Sequence, residues 1–156
     1  MNDPGTSPIR LLLVDQQPSV RRGLKMRLAL EEDLEVVGEA GDATEAISLA
    51  RALRPDVILM DVELPGVSGI AATERLRAAP HGAVVIFTLR DDAATREQAR
   101  AAGVAAFVAK HRTEEMLLAA IRGVAAIYGK QGRHDPTSAD REDEEHRDDM
   151  RDLRDA

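Results

Sequence analysis

Apolar residues fall into five short runs separated by longer amphipathic stretches: residues 9–14, 34–40, 56–60, 83–88 and 104–109. Their starts lie 25, 22, 27 and 21 residues apart. Each interval has room for one strand, one helix and two short loops, which predicts a βα repeat built around a parallel sheet. Val57-Ile58-Leu59-Met60 and Val84-Val85-Ile86-Phe87 are apolar without alternation, as strands covered on both faces must be. Leu34-Glu35-Val36-Val37-Gly38-Glu39 is broken by charge and is placed at a sheet edge.

The intervening stretches carry helix punctuation. Pro18 stands at a first-turn position ahead of Val20, Leu24 and Leu28, with Arg21, Arg22 and Lys25 turned outward. Asp42 and Glu45 form a capping-box pattern before Ile47, Ala50 and Leu53. Gly103 ends the fourth helix. The fifth starts at Thr113, has Glu114 and Glu115 in its first turn, and repeats Leu117, Ile121, Val124 and Tyr128 on one face. The pattern predicts one doubly wound α/β domain over residues 9–129. In such sheets the ligand site lies beyond the carboxyl ends of the strands, where strand order reverses.

Composition narrows what lies outside that domain and what the domain can do. Residues 1–8, with Pro4, Gly5, Ser7 and Pro8, read as a flexible arm. Residues 130–156 hold ten acidic and six basic side chains, little of apolar bulk beyond Met150 and Leu153, and a Gly129-Lys130-Gln131-Gly132 junction. They read as a charged, disordered tail. The chain has no cysteine, so disulfides, thiolate metal sites and thiol nucleophiles are excluded, and the composition suits a reducing cytoplasm. No apolar run approaches bilayer length and no leader pattern opens the chain, so neither membrane nor export is expected. With only Phe87, Phe107 and Tyr128 as aromatics, base stacking on nucleic acid is nearly excluded. His81, His111, His134 and His146 are too scattered for a metal site. The acidic block from Asp140 to Glu145 lacks the glycine turn and ligand order of a calcium loop.

The residues just past the strands carry the chemistry. Asp15 follows the first, Asp61 the third, Thr88 ends the fourth and Lys110 follows the fifth. Each alone has an ordinary structural role as a turn, a strand former or a solvated cation. Together, two carboxylates, a hydroxyl and an ammonium suit a hard cation and an oxyanion, and Asp61 is a candidate nucleophile forming an acyl phosphate.

The chain resembles the response-regulator receiver domains of two-component signalling, closest to the branch that usually carries a helix-turn-helix output domain. The resemblance rests on Ile9-Arg10-Leu11-Leu12-Leu13-Val14-Asp15, Pro55-Asp56-Val57-Ile58-Leu59-Met60-Asp61, Leu64-Pro65-Gly66-Val67-Ser68-Gly69, Thr88 and Lys110, in order and spacing. It implies a flavodoxin-like (βα)5 fold with a five-stranded parallel sheet in the order 2-1-3-4-5. It implies Asp61 as phosphoacceptor and Lys110 as phosphate counterion. Thr88 becomes the switch hydroxyl and Phe107 the switch aromatic. Mg²⁺ would be held by Asp15, Asp61 and the Glu63 backbone carbonyl. It further implies a sensor histidine kinase or phosphotransfer protein as donor, a downstream protein as target, and a phosphoacceptor rather than an enzyme in the ordinary sense. A homodimer stays open.

Two departures from the family matter. Its second acidic pocket residue is replaced, the chain reading Asp15-Gln16-Gln17, so Gln16 is a neutral, substituted ligand and Mg²⁺ is expected to bind weakly. No helix-turn-helix or basic recognition helix follows Tyr128, which argues against sequence-specific DNA binding. The preferred reading is a stand-alone receiver switched by phosphorylation at Asp61 and signalling through protein contacts. The alternative is a degenerate, phosphorylation-independent receiver acting as an interaction or dimerisation module. An enzyme on a similar sheet is disfavoured by the missing glycine-rich phosphate loop. The Arg21, Arg22, Lys25 and Arg27 side of the first helix is a candidate kinase contact, which the resemblance suggests.

Overall fold

The computed structural model describes residues 7–77 and 82–129. Five strands, β1 (Ile9–Val14), β2 (Leu34–Ala40), β3 (Val57–Met60), β4 (Ala83–Thr88) and β5 (Ala106–Ala109), alternate with α1 (Pro18–Leu28), α2 (Ala43–Leu53), α3 (Gly69–Arg77), α4 (Ala93–Ala102) and α5 (Glu114–Val124). All strand pairs are parallel, in the order β2-β1-β3-β4-β5. The charge-broken β2 is therefore at an edge, as its sequence requires. Successive side chains of one strand feed opposite cores. Leu12, Val14, Ile58, Met60 and Ile86 pack under α2, α3 and α4, whereas Leu11, Leu13, Val57, Leu59 and Val85 pack under α1 and α5. That double covering is why the central strands are apolar throughout.

Several local expectations shift by a residue or more. Asp56 stands before β3: its N–H donates to the Arg10 carbonyl at 2.8 Å and its carboxylate accepts the Arg10 N–H at 2.8 Å. Val104 stands before β5, because its N–H closes the end of α4 on the Ala99 carbonyl once Gly103 turns left-handed at φ 95°. Asp42 caps α2 through the Glu45 N–H, but the Glu45 carboxylate reaches back to the Gly41 N–H, one residue beyond the N-cap N–H that a full capping box uses. Tyr128 leaves the buried face of α5 and is 48% exposed, because residues Ala125–Gly129 form a π turn that advances the chain through less angle per residue. Arg21 and Lys25 are not simply turned outward, since both pair with Glu39 on β2. No helix among the described residues is long and apolar enough to cross a membrane. The expected arm (residues 1–6 of it) and the expected tail, with His81, His134 and His146, lie outside the described residues.

Candidate functional site

The carboxyl edge of the sheet is built by ladder hydrogen bonds that continue one residue past the strands. The Asp15 N–H donates to Ala40, the Asp61 N–H to Val14 at 3.0 Å, and the Lys110 N–H to Thr88 at 2.8 Å. These bonds fix three side-chain origins at one end of the sheet. Asp15, Asp61 and Thr88 are buried. Lys110 Nζ donates to Asp15 Oδ2 at 2.6 Å and to Asp61 Oδ2 at 2.7 Å. The Thr88 hydroxyl donates to Asp61 Oδ1 at 2.7 Å, and the Glu63 N–H reaches the same oxygen at 3.1 Å. Asp15 Oδ1 accepts the Gln17 N–H at 2.9 Å. The four residues read from the strand ends therefore form one hydrogen-bonded cluster.

Two carboxylates against one ammonium leave the crevice with a net formal charge of −1. Burial pushes the Asp61 carboxyl up, but the hydrogen bonds from Lys110, Thr88 and the Glu63 N–H outweigh it and hold the group below its ordinary value. Burial likewise pulls the Lys110 ammonium down, and its bonds to Asp15 and Asp61 more than reverse this. Asp61 is thus ionised at neutral pH, with one oxygen facing a cation and the other a hydroxyl. A carboxylate held ionised at neutral pH keeps the lone pairs that a candidate nucleophile needs, and the same donors suit the charge of a phosphoryl group.

The oxygen atoms present fit Mg²⁺ in kind: the Asp15 and Asp61 carboxylates and the Glu63 backbone carbonyl are hard donors. They amount to two carboxylates and one carbonyl. Gln16 is exposed, and among the described residues no three acidic or imidazole side chains converge to hold a metal ion. His111 lies on the surface, 3.8 Å from Asp91.

Phe107 is half-buried on the α4 side of the sheet. Three features of the site were not visible in the sequence. Arg21 donates to the Asp15 backbone carbonyl while bonded to Glu39; the Arg90 N–H donates to Thr88 Oγ1 at 3.3 Å; and the Arg96 guanidinium carbon sits 4.5 Å from the Phe107 ring centroid. Each contact joins residues on different elements, or a backbone N–H to a side chain, and leaves no local pattern to read. The basic side of α1 is largely spoken for within the domain, Arg27 pairing with Glu31 and Glu114 as Arg21 and Lys25 do with Glu39.

Comparison with known proteins agrees with this geometry. The family model described as "Response regulator receiver domain" matches residues 11–122. The chain is 41% identical over 118 residues to the transcriptional regulatory protein YxjL of Bacillus subtilis, covering 75% of this chain and 54% of that protein. It is 40% identical over 119 residues to the response regulator GacA of Pseudomonas aeruginosa, covering 76% and 56%. The crystal structure of a LuxR-family two-component response regulator from Aurantimonas sp. SI85-9A1 superposes with a TM-score of 0.73 at 36% identity, covering 77% of this chain and 86% of that one. The chain spans about half the length of the curated relatives it matches. With strand order, crevice and family model coinciding over the same residues, the chain belongs to the response-regulator receiver domains of two-component signalling.

Proposed function

We propose that the domain is a phosphorylation-switched receiver whose acceptor is Asp61 and whose output is protein contact. Receiver domains partner with histidine kinases and typically bind Mg²⁺. The observation that carries the reading is the Asp61 carboxylate, buried yet ionised, with Lys110 on one oxygen and Thr88 on the other. In the transfer, an Asp61 oxygen forms a bond to phosphorus as the donor's bond to phosphorus breaks. A phosphohistidine donor is left with the electron pair on its imidazole nitrogen, and acetyl phosphate gives up its phosphoryl group with acetate as the leaving group. Lys110 and the Thr88 hydroxyl then face phosphoryl oxygens, replacing bonds they made to the carboxylate. The acyl phosphate carries about −1.5 to −2 charge where the carboxylate carried −1, more than one ammonium offsets. Asp15, Asp61, the Glu63 carbonyl and the substituted Gln16 would hold Mg²⁺, which supplies further neutralisation of phosphoryl charge when bound.

The two-carboxylate crevice favours a second reading, in which the domain serves as a phosphate-independent interaction module. Intact mass before and after acetyl phosphate with Mg²⁺ separates the two. The switch requires the gain of one phosphoryl group in the wild type and none in Asp61→Asn. No gain in the wild type, with phosphodonor or with a kinase, leaves the module.

A further inference from the structure

The loop between β4 and α4 makes a contact that the crevice does not need for its own chemistry. Arg96, the fourth residue of α4, lies over the Phe107 ring, and its Nε donates to Asp91 Oδ1. Asp91 stands three residues after Thr88 in the chain. Between them, the Arg90 N–H donates to the same Thr88 hydroxyl that donates to Asp61. Crevice, loop and ring are thus joined in one run of contacts: Asp61 to Thr88, Thr88 to the Arg90 backbone, and Asp91 through Arg96 to Phe107.

We propose that Arg96, anchored by Asp91, is a positioning residue: it clasps Phe107 in its half-buried place while Asp61 is unmodified, and its release couples the crevice to the α4–β5 surface. The proposal rests on the reading of Asp61 as phosphoacceptor. A new phosphoryl group gives the Thr88 hydroxyl a stronger acceptor than the carboxylate oxygen, so the hydroxyl and the Arg90 N–H bonded to it shift together. Asp91 is the next residue and carries the anchor with it. A contact made better in the starting arrangement than in the shifted one biases the equilibrium toward the start, by as much as the contact differs between the two. The Arg96 side chain is 44% exposed, so its hold on the ring is that of a surface cation on an aromatic face, equivalent to about a two- to fivefold population bias. A bias of that size tunes a switch without freezing it.

Two phenylalanines and one tyrosine are the only aromatic residues, which makes the ring directly observable. The full chain is labelled with 4-fluorophenylalanine, giving two fluorine resonances, and Phe107→Leu identifies the Phe107 line by deleting it. Without phosphodonor, Arg96→Ala and Asp91→Asn are expected to displace or broaden the Phe107 line. The expected direction is toward its position in wild type treated with acetyl phosphate and Mg²⁺, with the population ratio changed about two- to fivefold. Arg96→Lys, which keeps a cation within reach of ring and aspartate, restores the wild-type line, and the Phe87 line stays in place throughout. The proposal is overturned if the Phe107 line is the same in wild type and Arg96→Ala, if Arg96→Lys behaves like Arg96→Ala, or if Phe87 is displaced as far as Phe107. Failure of the phosphoacceptor reading shows separately, as an absence of added mass in the wild type. The donor-free comparison of the same variants still decides whether Arg96 holds the ring.

Discussion

On the proposal that Gln16 stands at a metal-ligand position, replacing it with aspartate adds a third carboxylate to the crevice, and the consequences have opposite signs with and without Mg²⁺. Without the metal, Lys110 is already shared between Asp15 and Asp61, so the net formal charge falls from −1 to −2 with no new partner for the added group. Position 16 is exposed, so the repulsion is that of charges in a water-like medium, about 1 kcal/mol for a neighbour some 4 Å away. For a domain of this size that lowers the melting temperature by about 3–5 °C. With Mg²⁺ the same charge attracts a divalent ion, with about twice that energy before screening. Mg²⁺ affinity is expected to rise about tenfold, and the stabilisation by a fixed Mg²⁺ concentration grows accordingly. The assay is a pair of thermal melts at low salt, with and without Mg²⁺, beside a calorimetric Mg²⁺ titration and the rate of mass gain from acetyl phosphate. Gln16→Asp should melt lower than wild type without metal, close the gap with it, and label faster. Equal melting temperatures without Mg²⁺ together with equal Mg²⁺ affinities would refute the proposal that position 16 is a metal-ligand position.

Three further outcomes test the packing behind the site. The Asp61 carboxyl is held below its unfolded value, so it contributes stability above about pH 4 that is lost as the pH falls through its folded value. Asp61→Asn removes that contribution, and urea melts from pH 2 to 6 should show a flatter acid limb in the variant; superimposable limbs would contradict the assignment. Thr88→Val leaves the Asp61 oxygen and the Arg90 N–H short of a buried hydroxyl, a loss of about 1–3 kcal/mol measurable by denaturant unfolding. Gly69→Ala places a Cβ 2.0 Å from the Asp61 carbonyl oxygen; backbone cannot yield that far, so a loss of at least about 3 kcal/mol is expected, and a variant as stable as wild type would show that α3 approaches β3 less closely than described.

The strand-end residues were legible because topology converts sequence position into spatial position. In a parallel sheet every strand delivers its last residue to the same edge, so Asp15, Asp61, Thr88 and Lys110 follow once five strands are recognised, with no knowledge of side-chain contacts. Boundaries were less legible where one residue serves two elements. Asp56 looks like a strand start but its carboxylate caps the Arg10 N–H, and Val104 looks like strand but its N–H finishes a helix. Tyr128 continues the apolar spacing of α5, and only a change in helical pitch, for which the sequence carries no marker, turns it outward. The pairing of the α1 cations is hidden for a related reason: Glu39 and Glu114 come from other segments, and only Glu31, four residues after Arg27, is a local partner. Of the two glycines in Leu64-Pro65-Gly66-Val67-Ser68-Gly69, Gly66 is needed for its φ of 76° and Gly69 for its approach to Asp61. The motif is thus a backbone requirement as much as a chemical one.

The shared ammonium also has a place in time. Lys110 lies 95 residues after Asp15 and 49 after Asp61, whereas β1 and β3, which set the two carboxylates side by side, are both complete by Met60. A chain made at about 5–20 residues per second leaves roughly 2–10 s between the synthesis of Asp61 and that of Lys110. Throughout that interval the two central strands carry a pair of like charges whose cation has not yet been made. Docking of β5 is therefore the event that both closes the sheet and halves the formal charge at its edge, so early pairing of β1 with β3 is opposed by the very carboxylates that the finished crevice brings together.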